Sequence, residues 1–140
     1  MWLTRFLVVR TCGYLEQVTH EIARAYIAEK SGGMVRSFAI SWMDTSRNPS
    51  PDNLLTLVGR FDANLADELR SIFVADDQRL SRELSLLVDR RHKIAHGLNE
   101  GLSTAKAIAL MQDVEQVAEW FIKNLDPSRR KLASQSKIHK

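Results

Sequence analysis

The segment Arg90-Arg91-His92-Lys93-Ile94-Ala95-His96-Gly97 gathers two guanidinium groups, an ammonium and two imidazoles within about two turns of a helix. Arginine grips phosphate oxygens in pairs and never loses its charge. Histidine gives or takes a proton near neutral pH. Together these groups could move protons beside a bound phosphodiester and cut RNA without a metal, or they could simply hold an anionic partner. His92 and His96 are four residues apart, on one helix face. Arg91 and His96 are five apart, about 140° round the helix, a gap that an arginine side chain can still span. His96 stands just before Gly97, at a helix C-terminus whose dipole favours a cation.

The two arginines are not equivalent. Leu80, Leu84, Leu87, Val88, Ile94 and Ala95 trace an apolar stripe, and Arg91 falls on it, while Arg90 is expected further round, toward the polar side. An arginine in a core-facing register needs an anion or a polar cavity, because an unpaired buried charge is very costly. A structural carboxylate, or a side chain that snorkels to water, would satisfy it equally well. The His-x-x-x-His spacing also invites a metal reading. Lys93 stands where a zinc protease needs glutamate, however, and His20 and His139 are remote in sequence, so neither metal nor cofactor is expected. Cys12 has no histidine near it and reads as a buried thiol. Trp2, Trp42 and Trp120 are scattered and suit core or interface positions better than base stacking. Ser31-Gly32-Gly33 is too short for a phosphate-cradling loop and lacks its lysine.

The elements that must hold these groups are helical. Leu3, Phe6, Leu7, Tyr14, Leu15, Val18, Ile22, Ala25 and Tyr26 recur at three- and four-residue steps, which predicts a first helix over 2–29. The Ser31-Gly32-Gly33 run ends it. A second helix is predicted over Met34–Asp44, with Val35, Phe38, Ala39 and Trp42 on one side. Pro49 and Pro51 mark a loop, after which Ser50 caps a third helix with proline in its first turn. A further piece is expected near Ala63–Phe73. Asp76 and Asp77 open the motif helix with carboxylates at the positive end of its dipole. Ser103 caps the last helix, which Pro127 stops. The expected fold is all-α, an antiparallel bundle of four to five helices around one core.

The charge pattern limits partners. Of the 20 basic residues, Arg129, Arg130, Lys131, Lys137 and Lys140 lie in 127–140, which has no acid; residues 1–126 hold 15 basic and 17 acidic side chains, a net −2. A broad nucleic-acid-binding surface is therefore absent from the body, and an RNA site there would be local. The expected organisation is one domain over 1–126 and a basic, disordered tail over 127–140. Arg5 and Arg10 bracket only four apolar residues, too few for a signal-peptide core. No run approaches the roughly 18 apolar residues of a membrane span. One cysteine precludes an internal disulfide. A cytoplasmic protein without membrane contact is expected.

The motif resembles the Arg-x4–6-His signature of HEPN domains, in which a polar residue often follows the arginine, as His92 does here. Gly13-Tyr14-Leu15-Glu16, Asn48-Pro49-Ser50-Pro51 and Leu57-Val58-Gly59-Arg60-Phe61-Asp62 are similar to segments of the RiboL-PSP-HEPN branch, and the likeness covers roughly Leu3–Leu125. The resemblance implies a homodimer whose two motif helices meet in one composite cleft, with Arg91, His96 and His92 as catalytic residues. It implies a metal-independent endoribonuclease of toxin–antitoxin or antiviral defence systems, with RNA as substrate and an antitoxin or other defence-system protein as further partner. Other members of the family lack catalysis, so a non-catalytic HEPN module for RNA or protein binding is the alternative.

Overall fold

Apolar residues repeating at helical steps, with caps at the turns, produce five helices. The computed structural model describes residues 2–43, 47–99 and 101–127, and no strand occurs among them. The helices are α1 (Trp2–Lys30), α2 (Gly33–Met43), α3 (Pro51–Phe61), α4 (Ala63–Ala95) and α5 (Thr104–Leu125). The basic stretch expected from 127 onward lies outside the described residues beyond Pro127.

The local signals act as expected at the helix starts. Ser50 Oγ accepts the Asn53 N–H at 3.2 Å, and Ser103 Oγ accepts that of Lys106 at 3.1 Å. Asp62 ends α3 and starts α4, accepting the Asn64 and Leu65 N–H groups on one carboxylate oxygen. Each cap satisfies backbone donors that a helix start leaves open.

Phe73, Leu84 and Leu87 of α4 pack with Leu15 of α1 and Leu110, Val114 and Phe121 of α5 in one buried cluster. Each such side chain contributes about 1.5–3 kcal/mol on leaving water. The antiparallel register of α4 and α5 is pinned by two ion pairs: Arg79 to Asp113 at 2.8 Å and Glu83 to Lys106 at 2.7 Å. Thr4 of α1 hydrogen-bonds Thr104 of α5 at 2.9 Å.

Three expectations are corrected. The buried side of α1 is formed by Thr4, Val8, Thr11, Cys12, Leu15, Thr19, Ala23 and Ile27, whereas Leu3, Phe6 and Tyr14 of the expected stripe are exposed. Small residues let neighbouring helices approach, and threonine can return its hydroxyl to the backbone, as Thr19 does to the Leu15 carbonyl. Second, α2 buries no residue, so Val35, Phe38 and Trp42 are exposed apolar groups. Third, Asp76 and Asp77 stand where the motif helix begins, as expected, but in a break within α4 and with non-helical backbone. They occupy, with Gln78, a left-handed interruption inside α4, a conformation that aspartate tolerates better than most residues. The two helical pieces expected on either side of it are both present.

Candidate active site

The motif helix is the second part of α4. Leu80, Leu84 and Leu87 fasten it to the core. Its end is closed by Gly97, at φ +71. The Leu98 N–H donates to the Lys93 carbonyl at 2.8 Å and the Gly97 N–H to the Ile94 carbonyl at 3.0 Å, the bond pair that finishes a helix on a left-handed residue. His96 is thereby held as the C-cap, just past the last helical residue Ala95, and is exposed to water. Its ring lies 4.3 Å from that of His92, tilted by 58°. Same-face spacing thus gives a real imidazole pair.

Arg91 continues the leucine stripe as the sequence predicts, but the stripe has opened by then. Val88, Arg91 and Ile94 are half-buried and Ala95 is exposed. Arg91 faces a cleft of about 730 Å³ shared with His92, Val9 and Asn48. Its Nη1 lies 3.5 Å from Glu16 Oε2 on α1, the long edge of hydrogen-bond range. Such a partly exposed pair contributes little, so a phosphate can compete for the guanidinium. Arg90 corrects the sequence reading. Its side chain is 24% exposed against 40% for Arg91, and its Nε is buried without a hydrogen-bond partner. Three residues after Leu87, Arg90 lies along the other edge of the core stripe rather than on the polar side. Asp89 neutralises this part of the helix, 3.4 Å from Arg90 and 3.6 Å from Lys93.

Beneath Arg91 lies Cys12, fully buried. Burial pushes its thiol from 9.0 up to about 11, against the opposing pull of the Arg91 charge, with Glu16 adding to the rise. The folded chain therefore holds this proton more tightly than the unfolded chain. The stabilisation is complete below pH 9 and fades as pH rises from 9 toward 11. Relative to Cys12→Ala, the wild type should lose roughly 2–3 kcal/mol of unfolding free energy across that range, read from urea melts. Equal pH profiles for the two proteins would refute this.

A family profile described as RiboL-PSP-HEPN matches residues 1–126. This chain belongs to the RiboL-PSP-HEPN family. No curated protein and no solved structure matches it. As a HEPN-family chain it has the five-helix architecture expected of it, and the family points to an RNA-handling module of ribonuclease or RNA-binding type. No described helix is long and apolar enough to cross a membrane. Among the described residues, no group of three or more His, Cys, Asp or Glu is placed to hold a metal ion.

Of the three residues singled out in the sequence, Arg91 and His92 line one cleft, whereas His96 packs its ring on His92 and is not among the residues that line the cleft. Residue-by-residue reasoning missed Glu16 as the partner of Arg91, and Asn48 and Val9 as walls of the cleft. The signal was present in part, because Glu16 and Asn48 belong to two of the three upstream segments that resembled the family. Nothing in periodicity alone would bring them to α4.

Proposed function

We propose that the chain is a metal-independent endoribonuclease acting as a homodimer. The observation that supports this best is the arrangement of Arg91 and His92 in an open cleft with the ring of His96 packed on His92. The cleft is flanked by uncovered apolar residues. Val9, Val88, Ile94 and Ala95 line it, and Phe6 and Trp2 extend the exposed apolar side of α1 beyond Val9. Such a rim suits an isologous contact, in which each motif helix meets its own copy.

In the proposed reaction, His96 takes the proton from a ribose 2′-hydroxyl, and the oxygen attacks the adjacent phosphorus. The new bond joins O2′ to phosphorus as the bond to the 5′-oxygen breaks. Arg91 neutralises charge gathering on the phosphoryl oxygens. The partner subunit's His96, or His92, returns a proton to the departing 5′-oxygen. The products are a 2′,3′-cyclic phosphate and a 5′-hydroxyl. Where the partner subunit's His96 supplies that proton, His92 instead orients the His96 ring packed against it. The proposed setting, toxin–antitoxin or antiviral defence with an antitoxin or similar protein as partner, rests on the family resemblance alone.

A fluorescent single-stranded RNA incubated with the protein in EDTA tests the reaction. Full activity is expected in the chelator. A single 2′-deoxy nucleotide at the scissile position should abolish cutting there, because it removes the nucleophile. Cleavage that survives the deoxy substitution, or that stops in EDTA, would overturn the mechanism. RNA binding without cleavage would support the alternative, a non-catalytic HEPN module.

A further inference from the structure

Beside the Arg91 cleft lies a second cavity, of about 370 Å³, walled by α1, the end of α2, the loop before α3, and α3 itself. It belongs to none of the motif residues. Its lining includes Trp42, Arg47, Arg60, His20, Asn48 and Asn53. Three groups that carry or can carry positive charge thus converge in a body whose net charge is negative. The acid in the same wall is Glu16, whose carboxylate is turned to Arg91.

The aromatic group here is poised rather than packed. Trp42 is 57% exposed, and the Arg60 guanidinium lies over its ring at 5.3 Å. That contact fixes the indole by cation–π attraction and still leaves aromatic surface open to the cavity. Asn53 Nδ2 donates to Asn48 Oδ1 at 3.0 Å and to the Asn48 carbonyl at 2.9 Å. The Asn48 Oδ1 also accepts the Ser50 N–H at 3.2 Å. A side-chain amide is therefore held rigidly at the boundary, since Asn48 lines both this cavity and the Arg91 cleft. A flat π surface, fixed amides and arginines are the groups that receive a nucleotide: stacking for the base, hydrogen bonds for its edge, cations for its phosphate.

We infer that this cavity binds one nucleotide of single-stranded RNA next to the phosphate held at Arg91, with its base stacked on Trp42 and its phosphate met by Arg47 and Arg60. The inference rests on the ribonuclease reading of the Arg91 cleft for the path of the chain, while the nucleotide site itself is argued from its own residues.

The test uses fluorescence anisotropy with a 2′-O-methyl single-stranded RNA, which binds but cannot be cut, and steady-state cleavage of the unmodified RNA. Trp42→Ala should weaken binding by about 5- to 100-fold, the range for losing one stacked base, and raise KM with kcat nearly unchanged. Trp42→Phe, which keeps a ring, should lose much less. Adenosine 3′-monophosphate should quench tryptophan fluorescence in the wild type and not in Trp42→Phe. Circular dichroism melts of both variants guard against misfolding. Should Trp42→Ala bind the RNA and show the KM of the wild type, the nucleotide site is overturned while the ribonuclease reading stands. Trp42-dependent binding and quenching in a protein that never cuts RNA would sustain the site and overturn the ribonuclease reading.

Discussion

His96→Ala should lower RNA cleavage by about 10²–10⁴-fold, the usual contribution of a positioned proton-transfer group, with little change in folding. The reason for the separation lies in the site. His96 is exposed, and the end of α4 is closed by backbone bonds from Gly97 and Leu98 rather than by the imidazole. Arg91→Ala should cost about 10²–10³-fold, as expected for removing one group that meets developing negative charge. Arg91→Lys should recover only part of this, because an ammonium keeps the charge and loses the planar two-pronged grip. Expression of the wild type should arrest growth of a bacterial host, and His96→Ala should relieve the arrest, if the proposed defence setting holds. The decisive measurement is single-turnover cleavage at saturating protein, with binding of 2′-O-methyl RNA measured in parallel. Wild-type rates for both alanine variants would end the ribonuclease reading, whatever the binding result.

What the sequence made legible was local. Ser50 and Ser103 act as helix caps because a hydroxyl two or three residues upstream of an open N–H has little else to do. Gly97 ends the motif helix because a left-handed residue is needed there. His92 and His96 meet because four residues is one turn. What stayed hidden was set by which helices pack together. The buried side of α1 turned on threonines and alanines that apolar periodicity undervalues. The ranking of Arg90 and Arg91 reversed because Arg90, three residues after Leu87, lies along the other edge of the core stripe and is the less exposed of the two. Asp76 and Asp77 signalled the start of the motif helix, but the left-handed backbone that they adopt with Gln78 leaves no mark in helical periodicity. The Glu16–Arg91 contact joins residues 75 apart in sequence. The motif could therefore be found from its spacing, but its anionic neighbour and the walls of its cleft could not.

Val9→Asp should turn an active dimer into an inactive monomer that is still folded. Val9 is 38% exposed in the single chain, so the monomer can tolerate a carboxylate there. Across the proposed isologous contact the same change occurs twice, placing two charges among Val88, Ile94 and Ala95 of the cleft. An uncompensated charge buried in this way costs several kcal/mol, which would raise the dimer Kd by about 100- to 1,000-fold. Sedimentation equilibrium reads the loss of the dimer, and thermal melts read the intact fold. Met34→Asp is the control, since Met34 is 90% exposed on α2 and lines neither cavity; it should remain dimeric and active. Because Val9 also lines the cleft, lost activity alone would not distinguish a broken dimer from a damaged wall. Protein concentration separates them. A dimerisation defect is repaired by mass action, so specific activity of Val9→Asp should climb as its concentration approaches the new Kd. A damaged wall would give low specific activity at every concentration. A Val9→Asp monomer that cuts RNA at the wild-type rate would show that one chain carries a complete site, and the composite cleft would have to be abandoned.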